Sequence, residues 1–139
     1  MAALSCVLAA SAAHADTCSR DDFAGVVDQA GSILRKMNAD NAPVFQAKLR
    51  QLKQARHWSD KDLVEKARPL VEDDKIADYD AEAGQMLDEI SALGSPDPGV
   101  APDCGVLTHL RAHLDKLVET VKAKWAYMFG KVDAELKQP

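Results

Sequence analysis

The sequence predicts an all-α protein, an up-and-down bundle of four to five helices with a long C-terminal helix. Apolar residues recur at spacings of three and four along most of the chain, the signature of helices with one buried face. No stretch of useful length alternates polar and apolar residues as a half-buried strand would. Capping residues stand just ahead of the apolar runs, and residues 94 to 105, rich in Pro and Gly, form the one clear long loop.

Phe23, Val26, Val27, Ala30, Leu34 and Met37 form the stripe of a first helix, from about Ser19 to Met37. Ser19 with Asp22 three positions on resembles a capping box, with Asp in place of the usual Glu. Residues 38 to 42 read as a turn, because Asn and Asp offer the backbone local hydrogen bonds that compete with a helix. Pro43 then suits the first position of a second helix, where its missing amide hydrogen costs nothing. Phe45, Leu49, Leu52 and Arg56 follow that helix's face to an end near His57 and Trp58.

Ser59 is the next N-cap candidate, and Leu63, Val64 and Ala67 point inward until Pro69, which predicts a kink or break at Arg68. A further helix starts near Asp74 and carries Ile76, Tyr79, Ala83, Met86, Leu87, Ile90 and Leu93 on one face, with Gly94 as its stop. Asp103 caps the last helix, whose stripe runs from Leu107 through Leu110, Leu114, Leu117 and Val121 to Trp125, Met128, Val132 and Leu136.

The chain of 139 residues suits a single domain, assigned to residues 16 to 139. Residues 1 to 15 read as a signal peptide: an apolar run ends in Ala13-His14-Ala15, the small-x-small pattern of a cleavage site. No Lys or Arg stands between Met1 and that run, which departs from the usual leader. Lipidation at Cys6 fits less well, because the apolar run continues past that residue. The protein is therefore expected to be periplasmic or secreted. No later segment is apolar over the length a bilayer needs, so no stable membrane insertion is expected.

Cleavage would leave two cysteines, Cys18 and Cys104, and an oxidising compartment would pair them. Cα atoms of a disulfide must approach within about 7 Å, so the first and last helices are expected to start side by side and run parallel. Two buried free thiols in a cytosolic protein are the competing reading. The formal net charge of −5 argues against nucleic acid as a partner.

Sites of chemistry are sparse. His109 and His113, four apart on the last helix, stack on one face and offer two metal ligands, though no Glu follows the first as a zinc protease requires. A solvated polar flank is the plainer reading of the pair. Asp78, Asp80, Glu82 and Glu89 mimic the carboxylate spacing of a calcium loop, but Ala83 occupies the position that needs Gly and the helical stripe passes straight through. There is no nucleophile elbow, phosphate loop, dinucleotide fingerprint or haem-attachment motif, and no cofactor is expected. The expectation is not an enzyme.

Charge is uneven. Residues 45 to 57 carry Lys48, Arg50, Lys53 and Arg56 without an acid, whereas residues 72 to 89 hold eight acids against Lys75 alone. These two stretches either attract one another or form docking faces, solvated surfaces being the plain alternative. The most suggestive surface is Lys122 to Phe129. Trp125 and Phe129 lie on the core stripe, but Tyr127 falls almost opposite it, so that another helix covers it or it is exposed. Trp125, Tyr127 and Phe129, flanked by Lys122 and Lys124, are the candidate interaction surface for a protein partner. The function expected is a non-catalytic exported interaction or binding module. The alternative is a periplasmic carrier of a small ligand or metal ion.

Overall fold

The computed structural model describes residues 17 to 139. The proposed signal segment, Cys6 included, lies outside the described residues. Four helices account for the fold: α1 (Arg20–Ala55), α2 (Asp60–Val71), α3 (Asp74–Leu93) and α4 (Cys104–Lys137). No strand occurs among the described residues.

α1 corrects the expected turn at residues 38 to 42. It is one helix of 36 residues, about 54 Å long at 1.5 Å per residue, with Pro43 inside it. Its buried residues Phe23, Val26 and Ala30 continue in register to Phe45 and Leu52, with Leu34 and Leu49 partly covered between and beyond. An interior proline costs about 3 kcal/mol, partly because Ala39's carbonyl has no amide to accept from. Burying Phe45 and Leu52 returns about 1.5 to 3 kcal/mol each, so packing of the far half outweighs the penalty. Asn41, read as a turn residue, instead donates from its side chain to the Met37 carbonyl at 2.8 Å.

The N-termini follow the sequence closely. Ser19 with Asp22 and Ser59 with Asp62 both form capping boxes, and Asp103 accepts from Gly105 and Val106 at the head of α4. α1 ends with His57 at φ 53, while Trp58 donates to the Lys53 carbonyl at 3.0 Å and His57 to that of Gln54 at 3.3 Å. That is the left-handed helix stop usually given to Gly, held here by a residue with a β-carbon.

The expected break at Pro69 is displaced. α2 contains Pro69 and ends at Val71, and the chain is extended only at Glu72 and Asp73. In an unbroken helix the Pro69 carbonyl would accept from the Asp73 amide; here it accepts from the Lys131 ammonium on α4. Asp73 meanwhile caps α3 by accepting from the Ile76 amide at 2.8 Å. α2 and α3 are thus successive parts of one interrupted leg.

Cross-links between helices define the topology. Cys18–Cys104, Lys48–Asp133 and Arg56–Glu135 pair residues in the same order along α1 and α4, which therefore run parallel. Asp73–Lys131, Asp80–Lys124, Glu82–Lys116 and Glu89–His113 pair in opposite order, making α3 antiparallel to α4. The bundle has three legs, with α4 the shared partner of the other two. The chain after α3 packs against α1 at Gly94, where an added β-carbon would stand 2.7 Å from the Ile90 carbonyl oxygen and collide with Val27.

The core has two centres. Phe23, Val26, Ile90, Leu110 and Leu117 are among those that fill the end nearer the disulfide, while Phe45, Leu52, Leu70 and Val132 belong to the other. Between them α1 and α3 part, and α4 lies open beneath.

Candidate functional site

The disulfide joins Cys18 to Cys104 with Cα atoms 5.6 Å apart, placing the starts of α1 and α4 side by side. Arg20 then ties the Pro-rich loop to α1, donating to the carbonyls of Pro96 at 2.9 Å and of Asp97 and Val100 at 2.7 Å each. These hydrogen bonds hold the loop against the start of α1.

The aromatic segment of α4 divides between two neighbours. Phe45 on α1 meets Trp125 edge-on at 6.1 Å and Phe129 at 5.5 Å between ring centroids, a favourable arrangement for aromatic quadrupoles. Tyr127 turns the other way and is covered by the first turns of α3. Its hydroxyl donates to Asp73 at 2.9 Å, its ring lies 6.3 Å from that of Tyr79, and Lys75 and Lys131 flank its face at 4.7 and 5.2 Å. The rings of Trp125, Tyr127 and Phe129 are half-buried.

Asp73 is the hub of this cluster. Its hydrogen bond from Lys131, the Ile76 amide and Tyr127 hold its carboxyl down to about 2 from an ordinary 3.8. The same Asp73 contact pushes the Tyr127 phenol above its usual range. Sequence reading missed the cluster because Asp73 and Tyr127 are far apart along the chain; the one signal was Tyr127's position off the core stripe.

The two charged stretches do not pair with one another among the described residues. Lys48 and Arg56 pair with Asp133 and Glu135 of α4, and Lys53 with Asp60 of α2. Asp80, Glu82 and Glu89 of α3 also find partners on α4. Lys116 holds the Glu82 carboxyl below its ordinary range, and Glu82 in turn raises Lys116. Of the two lysines proposed to flank the aromatic surface, Lys124 is engaged with Asp80 at 2.5 Å, while Lys122 is exposed and has no ion pair among the described residues.

His109 and His113 have different surroundings. His113 places Nδ1 3.0 Å from Glu89, and His109 is exposed. Among the described residues no three His, Cys, Asp or Glu side chains gather to hold a metal ion. The calcium-like spacing lies wholly within helical α3, which provides no loop to wrap a cation.

A groove in the middle of the bundle brings the remaining features together. It lies where α1 and α3 part and has a volume of about 340 Å³. Leu34, Ala83, Val121 and Met128 supply apolar surface, and Trp125 and Tyr79 supply aromatic surface from α4 and α3. Asn38 and the Asp80–Lys124 pair add polar groups to the lining.

Comparison with protein-family models, curated proteins and solved structures finds no match. The chemistry of the groove therefore carries the functional argument. Apolar and aromatic surface with a few polar groups is the usual make-up of a small-molecule site, and the volume falls at the lower end of the range of about 300 to 1,000 Å³. No Ser, Thr, Cys or His lines it. Asn38, Asp80 and Lys124 are the polar groups that could fix the orientation of a bound molecule.

Proposed function

We propose that this chain is an exported, non-catalytic binding protein that carries a small amphipathic ligand in the groove between α1, α3 and α4. The observation that carries the reading is the groove itself: apolar and aromatic surface combined with an amide and an ion pair. Export is supported by the apolar leader ending in Ala13-His14-Ala15 and by the Cys18–Cys104 disulfide, a bond that persists in a periplasm or outside the cell and is rare in reducing cytosol. No described helix is long and apolar enough to cross a membrane.

The test is a thermal-shift screen of small amphiphiles against the disulfide-bonded protein and an Ala83→Trp variant that fills the groove. A true ligand at about 100 times its Kd stabilises by about 2.7 kcal/mol. Hits should raise the wild-type midpoint and leave that of a folded Ala83→Trp variant unmoved. An empty screen, or hits that act equally on both proteins, removes the reading.

A second reading keeps the aromatic segment as a protein-docking face. It is favoured by the partial exposure of Trp125, Tyr127 and Phe129 and by Lys122, which has no ion pair among the described residues. Capture of a defined extracytoplasmic partner that Lys122→Glu abolishes, with the thermal midpoint unchanged, would put this reading first.

A further inference from the structure

We propose that the groove selects small aromatic compounds bearing a protonated amine, with the ring against Trp125 and Tyr79 and the ammonium at Asp80. This rests on the groove being the binding place and specifies what it takes.

Size sets the first limit. A volume of about 340 Å³ suits a compound of one or two rings. Surface chemistry sets the second. Trp125 and Tyr79 add aromatic rings to the apolar part of the lining, where a flat ring gains both area and offset or edge contacts. The faces of indole and phenol also attract an ammonium group.

Charge decides between an amine and an acid. In the Asp80–Lys124 pair the lysine side chain is 27% exposed and the aspartate 57%, so the aspartate is the more accessible of the two to an incoming ligand. Only Oδ1 of Asp80 is engaged by Lys124, leaving the other oxygen to accept from a ligand ammonium. Asp74 and Asp78 lie nearby in sequence on α3, Lys75 between them sits 6.0 Å from the Tyr79 ring centroid, and the net charge of the whole chain, −5, favours a cation at long range. A ligand carboxylate would have to compete with Asp80 for Lys124 and then face the displaced aspartate. Asn38 offers both a donor and an acceptor and does not discriminate by charge.

The test uses three probes of nearly equal shape: phenethylamine, 2-phenylethanol and phenylacetate. In the disulfide-bonded Trp58→Phe protein, Trp125 is the only indole, and its Nε1–H resonance in two-dimensional NMR reports directly on the groove. Phenethylamine should shift that signal and the Asn38 side-chain amide saturably, with phenylacetate weaker by at least about tenfold, equivalent to 1.4 kcal/mol. Asp80→Asn should weaken phenethylamine by about fivefold or more while leaving 2-phenylethanol unchanged. Equal binding of all three probes at Trp125, tighter binding of phenylacetate, or an Asp80→Asn variant with undiminished phenethylamine affinity overturns the amine selectivity while the groove remains a binding site. No shift at Trp125 with any probe, in a protein whose spectrum is dispersed and folded, overturns both. Leu34→Phe, which narrows the groove from α1, should weaken every probe that binds there; unchanged affinities count against the site.

Discussion

Asp73 accepts the Tyr127 hydroxyl proton at 2.9 Å while its other carboxylate oxygen caps α3. One side chain thereby fixes both the start of a helix and the partner that helix packs against. The contact also explains why a tyrosine sits off the core stripe of α4.

This arrangement makes stability depend on pH at both extremes. The Asp73 carboxyl is depressed in the folded protein, so its stabilisation is present above the ordinary 3.8 and disappears as pH falls toward about 2. Tyr127 is raised, so its contribution is present below 10.0 and lost as pH rises through the higher folded value. Asp73→Asn should flatten the acid limb of a thermal-midpoint profile and bring the tyrosinate absorbance titration back toward 10.0. Asp73→Ala should lower the midpoint at neutral pH more than Asp74→Ala, whose carboxylate is exposed in the first turn of α3. Equal effects of the two alanine variants would deny Asp73 its special place.

Removing the disulfide should be costly because it closes a long loop. For a separation of 86 residues, the chain-entropy account gives roughly 4 to 5 kcal/mol. Chemical denaturation of a Cys18→Ser, Cys104→Ser variant measures it, and a loss below about 1 kcal/mol would show that the helix starts are held by packing alone.

Pro43 is an opportunity for stabilisation. Alanine is better by about 3 kcal/mol inside a helix, offset by about 0.4 to 1 kcal/mol of added freedom in the unfolded chain. Pro43→Ala should therefore stabilise by about 2 kcal/mol in denaturant titration, since the proline ring is exposed and buries nothing. Destabilisation would mean that the bend it imposes is needed for α1 to follow α4.

His57→Gly should also stabilise, by about 1 kcal/mol, because glycine occupies the left-handed region without the clash of a β-carbon. The denaturation midpoint should rise with no change of slope, and a fall would point to a contact of the imidazole that outweighs its backbone strain.

The sequence made the local features visible. The capping boxes at Ser19 and Ser59, the cap at Asp103 and the long stripe of α4 depend on residues within one or two turns of each other. Even the parallel start of α1 and α4 followed, from a covalent distance limit on Cys18 and Cys104. Pro43 misled because local propensity favours a turn there, while the packing of Phe45 and Leu52 that overrides it is a tertiary effect. The groove was hidden for a related reason: Leu34, Tyr79 and Trp125 lie on three different helices, and nothing in their spacing says that α1 and α3 separate between them.

The disulfide also determines how the molecule would carry a pulling force. Between Thr17 and Pro139 the shortest covalent route passes from Cys18 directly to Cys104 and along α4. The backbone of α1, α2 and α3 hangs from that route as a closed side loop. Tension applied at the two ends would stretch the residues after Cys104 and shear α4 from its neighbours, while the 86-residue loop remained outside the line of load. Reducing the bond would place the whole chain under strain, and the extension released on unfolding would grow by the length of that loop.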